Sequence, residues 1–186
     1  MFNEKFWVGY MKVFDVMALA IPYQEMINDI IDELNAKDNE NILDAGSGTG
    51  ILSVEMKKKC KPNIYALDNS QVALNIHKKK DPKTFFIKAN LNKKLPFSDN
   101  YFDKIVCILT LHSIPKKNRV ALISEFNRIL KSKGKIVLVS PYVGFSSTRI
   151  FFEHFKRDLK RSGVLKSFLS LAKNTIPVIK IVFFTF

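Results

Sequence analysis

The sequence predicts an α/β domain built on a doubly wound, mostly parallel sheet with helices on both faces. Three observations carry that prediction. Five short apolar runs of strand length alternate with segments of helical periodicity, the pattern of a parallel sheet covered on both sides. The first run leads into D-A-G-S-G-T-G, Asp44 to Gly50. Glycines at alternate positions there let backbone approach a ligand with no Cβ in the way. Finally, Asp44, Asp68, Asn90, Thr110 and Pro141 fall at the ends of the five runs. In open α/β sheets ligands bind beyond the carboxyl ends of the strands, so these residues share one expected pocket.

Each element follows from its own pattern. Residues 1–20 are aromatic and apolar with scattered charges, and read as one or two helical turns lying across the domain. Pro22 punctuates. Tyr23 to Asn35 then carries Met26, Ile27, Ile30, Ile31 and Leu34 at helical spacing, an amphipathic helix facing the core. Ile42 and Leu43 close the first strand, and a helical pattern resumes at Ile51. The spacing is not the dinucleotide fingerprint G-x-G-x-x-G, because the third glycine comes one residue early. The turn alone therefore specifies only a nucleotide-like ligand.

Asn63 to Leu67 is the second strand, ending in Asp68, 24 positions beyond Asp44. That distance is one strand-helix-strand unit, and a carboxylate there accepts hydrogen bonds from ribose hydroxyls in nucleotide-binding sheets. Asp is also a favoured helix cap. Gln71 to Lys80 is a helix with Pro82 after it, and Thr84 to Lys88 the third strand. Ser98-Asp99-Asn100 reads as a turn, and Phe102 to Leu109 as a buried fourth strand. Val120 to Leu130 is a helix, stopped by Ser132 to Gly134 with Gly134 as its C-cap. Gly134 to Ser140 is the fifth strand, ended by Pro141. The expected organisation is a helical cap or lid over residues 1–38, a ligand-binding core over 39–142, and a basic helix with an apolar tail over 143–186.

Composition narrows the class. At 186 residues with 47% hydrophobic content, the chain has material for one full core. Cys60 and Cys107 lie at unrelated spacing with no metal-type Cys/His cluster, so no metal site is expected and both read as reduced thiols of a cytoplasmic protein. No run of about 20 apolar residues is present to span a bilayer. The net charge of +13 invites an anionic partner. Lysines outnumber arginines 25 to 5, and arginine makes the bidentate contacts of nucleic-acid recognition, so nucleic acid is the less favoured partner. From Phe145 onward eight basic residues face two acidic ones, ahead of the apolar tail. Such a segment can lie on an anionic membrane as a peripheral contact, or simply cover the core.

Together D-A-G-S-G-T-G, A-L-D-N-S, A-N-L, L-P-F-S-D-N-Y-F-D-K-I-V and R-I-L-K-S-K-G-K-I-V-L-V resemble the Rossmann-like S-adenosyl-L-methionine-dependent methyltransferases, in particular their small-molecule, lipid and quinone branch. The resemblance implies a cofactor, S-adenosyl-L-methionine, and roles for matching residues. Gly46 and Gly48, with Ala45 and Ser47 between and beside them, would pass the backbone against its methionine part. Asp44 would order that loop and reach toward the amino group through water. Asp68, with Asn69 beside it, would hold the ribose hydroxyls, and Asn90 and Leu91 would flank the adenine. Thr110 to His112 would line the methyl-donor end. Position 90 usually carries Asp in this family; the carbonyl oxygen of Asn90 could still accept from the adenine amino group, as a neutral rather than charge-assisted bond. The family sheet also ends in a hairpin, of which Val178 to Phe186 would supply one strand, leaving it incomplete.

Methyl transfer asks the protein to align the reactants and exclude water, with a general base where the nucleophile keeps its proton. His112 is the candidate base, and Tyr10, Tyr23 and Tyr142 candidate acceptor-lining residues. Neither an Asn-Pro-Pro-Tyr nor a Pro-Cys motif occurs near Leu109 to Ile114, so a small-molecule or lipid-like acceptor is expected. The alternatives are an RNA methyltransferase using the lysine surface, or a non-catalytic binding module of the same fold.

Overall fold

A computed structural model describes residues 21–140 continuously, together with Asp15, Ala18 and six positions between 152 and 160. Strand and helix alternate as α1 (Ile21–Leu34), β1 (Asn41–Ala45), α2 (Ile51–Met56), β2 (Asn63–Asp68), α3 (Gln71–Lys80), β3 (Phe85–Lys88), β4 (Phe102–Ile108), α4 (Lys116–Ile129) and β5 (Leu130–Val139). A single 3₁₀ turn, Leu111–Ser113, precedes α4. The strands form one sheet in the order β3-β2-β1-β4-β5, and all four pairings are parallel. The chain thus steps outward from β1 to β3, then crosses back to β4 and β5. The direction reverses between β1 and β4, which is where such sheets open a crevice for ligands.

The strands alternate their side chains between two covered faces. Leu43, Leu67, Ile105 and Cys107 point into one cluster with Leu122, Phe126 and Ile129 of α4. Ile42, Ile64, Ala66 and Val106 are buried on the other, the side on which His77 of α3 meets Phe86 of β3 edge-on, ring centroids 5.0 Å apart. Lys104 of β4 is buried on that second face; its Nζ pairs with Glu40 and donates to the Asn35 carbonyl at 3.0 Å. A buried ammonium is tolerated when paired and bonded in this way.

The sheet unit takes in residues 29–141; residues 2–28 and 142–186 form a second compact unit. In the second unit the six described positions between 152 and 160 are helical, and Arg157 pairs with Glu25 and Glu153. The expected hairpin strand over 178–186, the apolar tail, and most of the expected N-terminal cap and basic helix, Tyr10 and Tyr142 included, fall outside the described residues. Among the described residues no helix is long and apolar enough to cross a membrane, and both cysteines are free.

Several element boundaries differ from the sequence expectation, and four of the differences are informative. Pro22 does not interrupt the first helix but sits in its first turn, where a missing N–H leaves no intrahelical bond unmade. α4 starts at Lys116, behind Pro115; its all-polar first turn, Lys116 to Arg119, carries no apolar periodicity to announce it. Leu109 leaves β4 in the left-handed region, at φ 48°. Gly134 is not a C-cap. α4 ends at Ile129 and β5 begins at once, with Phe102 opposite Leu130 and Lys104 opposite Lys135. The extra residues of β5 form a bulge, and Gly134 lies inside it because a Cβ there would sit 2.9 Å from the Asp103 carbonyl oxygen and 2.6 Å from the Leu130 side chain.

That contact makes a prediction. Gly134→Ala should destabilise the protein by about 1–3 kcal/mol, the usual cost of overpacking, and lower the urea midpoint without changing the slope. An unchanged midpoint would mean that the bulge opens freely and that the glycine is not needed for packing.

Candidate functional site

The turn after β1 is held by the neighbouring strand. The N–H groups of Gly46 and Ser47 both donate to the Leu67 carbonyl at the end of β2, at 2.7 and 3.0 Å, and Gly50 N–H closes the turn onto the Ser47 carbonyl at 3.0 Å. Gly46 and Gly50 adopt φ +81° and +82°, and neither has room for a side chain. A Cβ on Gly46 would fall 2.3 Å from Thr110 Oγ1, and one on Gly50 would fall 2.0 Å from the His77 ring. Conformation and space demand glycine at both positions. Thr110 is fixed in turn, its hydroxyl donating to the Ile108 carbonyl at 2.9 Å. The end of β4 therefore closes against the β1 turn at the switch point.

Two acids converge on this turn. Asp44 is buried in β1 with Ser53 Oγ donating to Oδ2 at 3.2 Å. Burial pushes its pKa up to about 7; the Ser53 bond opposes the shift and the nearby Asp68 adds to it. Asp68 Oδ2 accepts from Gly48 N–H at 2.9 Å and Oδ1 from Ser70 N–H at 2.8 Å. Its pKa is also raised by burial, against the pull of those backbone donors. The cap of α3 is Ser70, whose Oγ accepts from Ala73 N–H at 3.3 Å. Asp68 is thus not the helix cap. It ties the glycine turn to the end of β2, with Asn69 exposed beside it.

The third strand end joins the same place, because Ala89 N–H donates to the Asp68 carbonyl at 3.1 Å. Asn90 follows half-buried, and the Leu91 side chain enters the core cluster. Asp44, Ala45, Gly46, Ser47, Gly48, Asp68, Asn69, Asn90, Leu91 and Thr110 are accordingly gathered at the carboxyl edge of one sheet. Ser47 Oγ is buried without a hydrogen-bond partner among the described residues, an unusual state for a hydroxyl. An unsatisfied hydroxyl on a turn with no Cβ at Gly46 fits the polar methionine end of S-adenosyl-L-methionine.

His112 lies on the 3₁₀ turn beyond β4, exposed at its edge. Partial desolvation, then the Arg119 charge, lowers its pKa, so the imidazole is neutral and able to accept a proton at pH 7. Arg119 holds this turn by donating to the carbonyls of His112 and Ile114, at 3.3 and 3.0 Å.

Sequence reasoning missed Ser53, Ser70 and His77. Ser53 is legible only once Asp44, nine residues earlier at the end of β1, is known to be buried, and Ser70 as a capping residue ahead of an apolar pattern. His77 shares a helix face with Ala73 and Leu74, an assignment open from spacing alone.

His77 is fully buried with both ring nitrogens unbonded among the described residues. Burial holds its pKa down at about 4, from 6.5. Because the folded value lies below the unfolded one, folding disfavours the charged ring; stability is lost as pH falls from about 6.5 through 4. For this group alone the loss is on the order of 3 kcal/mol. Asp44 acts in the opposite sense between pH 4 and 7, since its folded value is raised. The stability difference between wild type and His77→Leu isolates the imidazole. It should shift in favour of the leucine variant on acidification, in urea melts from pH 7 to 4.5; a constant difference would refute the assignment.

Comparison with known proteins agrees with this geometry. Residues 43–138 match the family model described as a methyltransferase domain. The chain is 33% identical over 153 residues to the ubiquinone/menaquinone biosynthesis C-methyltransferase UbiE of Rickettsia prowazekii, covering 76% of this chain and 54% of that one. It is 24% identical over 147 residues to the demethylmenaquinone methyltransferase of Chlorobaculum tepidum, covering 78% and 60%. The chain therefore spans about half the length of the curated relatives it matches. Among solved structures, one assigned as an S-adenosyl-L-methionine-dependent methyltransferase of Methanococcus maripaludis superposes with a TM-score of 0.63 at 22% identity, over 92% of this chain and 82% of that one. With the family model spanning β1 to β5 and the glycine turn, both acids and the strand order in place, the chain belongs to the S-adenosyl-L-methionine-dependent methyltransferase domain family.

Proposed function

We propose that this chain transfers a methyl group from S-adenosyl-L-methionine to a small, apolar acceptor of quinone type. The observation that carries the donor half is the glycine turn, pinned to Leu67 and walled by Thr110, with the buried Asp44 and the half-buried Asp68 beside it. The acceptor half rests on the names of the relatives, which are quinone-biosynthesis methyltransferases, and they favour this reading over an RNA acceptor.

When bound, the donor supplies an electrophilic methyl on a sulfonium, whose carbon–sulfur bond breaks as the acceptor bond forms. The residues of this chain bind and orient. Gly46, Ser47 and Gly48 pass the backbone along the methionine part, with Ser47 Oγ completing its bonds there. Asp44, ionised on binding, faces the ammonium end. Asp68 keeps the turn and the ribose side in register. His112 stands past Thr110 as the neutral base that takes the acceptor's proton.

Two measurements test this reading. Titration calorimetry with S-adenosylhomocysteine should show affinity that falls as pH drops below about 7, at most tenfold per unit, and levels above it. The reason is that the ammonium requires ionised Asp44, whose free pKa is raised to about 7. Asp44→Asn should bind weakly with no such slope. No binding by the wild type from pH 5.5 to 8.5 would end the donor assignment. Separately, with a hydroquinone acceptor, His112→Ala should lower kcat by roughly 10²–10⁴ while leaving S-adenosylhomocysteine affinity unchanged. A loss under fivefold would remove His112 as the base.

A further inference from the structure

By its resemblance to the family the chain carries Asn90 where an acid is usual, and the surrounding bonds decide what that exchange does. Its Oδ1 accepts two hydrogen bonds, from the backbone N–H of Asn92 at 2.9 Å and from Asn92 Nδ2 at 3.0 Å. Asn92 Oδ1 accepts from Asn118 Nδ2 at 2.9 Å, so the first turn of α4 fixes the orientation of Asn92. The turn is closed by Lys93 N–H on the Asn90 carbonyl, also at 2.9 Å.

Side-chain amides are usually oriented by inference, because oxygen and nitrogen look alike. Here the ambiguity is resolved by chemistry. A backbone N–H can only donate, so the Asn90 atom facing Asn92 N–H is the oxygen. The Asn92 atom pointing at that same oxygen must then be its nitrogen, which leaves the Asn92 oxygen for Asn118. A carbonyl oxygen offers two lone pairs, and both on Asn90 are taken. What remains of the side chain is Nδ2, which no described residue bonds and which solvent reaches. An aspartate in the same turn would spend one oxygen on Asn92 and present the other as a free acceptor. The exchange of acid for amide therefore reverses the polarity of the one side-chain atom left unbonded, rather than merely weakening an acceptor.

We infer that Asn90 meets the nucleoside base of the methyl donor as a hydrogen-bond donor, through Nδ2, to a ring nitrogen. The exocyclic amino group of adenine, itself a donor, is left unread by this residue. The expectation that the Asn90 oxygen accepts from that amino group is corrected accordingly. The inference rests on the donor reading above, and it makes Asn90 a specificity-determining residue with Asn92 and Asn118 as the residues that position it.

The test compares two ligands by titration calorimetry on the whole chain: S-adenosylhomocysteine, and its analogue carrying hydrogen in place of the amino group. The wild type should bind both within about threefold, since no bond from residue 90 to the amino group is lost. Asn90→Asp restores a charged acceptor and should favour the amino-bearing ligand by about tenfold or more, the range of one charge-assisted bond. A wild-type ratio above fivefold would show that the oxygen does read the amino group, and overturns the inference. So does a ratio below fivefold in Asn90→Asp, because residue 90 would then not face the base. Failure of the wild type to bind S-adenosylhomocysteine at all is a different result; it removes the donor site itself and this inference with it. Binding of the unmodified ligand by Asn90→Asp confirms that the variant is folded.

Discussion

The carbonyl oxygen of Leu67 holds the site together. By accepting from both Gly46 and Ser47, it bends the exit of β1 over the end of β2 and forces the left-handed conformation that Gly46 adopts. Three consequences follow from that one anchor. Gly48 N–H comes within reach of Asp68. The Gly46 backbone is pressed against Thr110, so that β4 closes the turn from the opposite side. Ser47 Oγ is carried into a buried position with no protein partner. A buried unsatisfied hydroxyl costs free energy, and native structures hold few of them.

The electrostatics of the site run against those of the rest of the chain. Net charge is +13, yet two acids are gathered at the switch point, the buried Asp44 and the half-buried Asp68, and the charge of Asp68 adds to the cost of ionising Asp44. The protein tolerates them because each has a donor: Ser53 for Asp44, and two backbone amides for Asp68. On the proposed function, the cationic end of the donor would relieve what those hydrogen bonds cannot. Charge selectivity for a ligand bearing ammonium and sulfonium would, on the same reading, come from these two acids rather than from the lysine-rich exterior.

The parts of this arrangement that were legible in the sequence are those where one residue type has one physical meaning. A glycine turn after a strand-ending acid, an acid one strand-helix-strand unit later, and apolar runs of strand length all have few other uses. The boundaries that misled were those where residue type is ambiguous. Pro22 serves a first helical turn as well as a break, Gly134 a bulge as well as a cap, and the polar start of α4 shows no period at all. Asn90 was visible as a departure, but its consequence was not. The direction of a side-chain amide depends on Asn92 and Asn118, and nothing in the spacing of three asparagines states that they bond in series.

The block L-P-F-S-D-N owes its place to the same helix. Arg128 of α4 donates to the carbonyls of Leu95 and Phe97 and to the carboxylates of Asp99 and Glu125, while Glu125 accepts from Leu95 N–H at 2.7 Å. Only the planar fork of arginine can serve so many acceptors at once, which is why one of just five arginines stands here in a lysine-rich chain. Asn118, at the other end of α4, holds Asn92. Both ends of the connection from β3 to β4 are therefore set by a helix on the covered side of the sheet. The glycine turn and Asp68 depend on β1 and β2, where the fold itself dictates the geometry. The turn that carries Asn90 depends instead on side-chain bonds from α4, through Asn118 and Asn92, so on the inference drawn above an exchange of acid for amide would change what the site recognises while the sheet stays as it is.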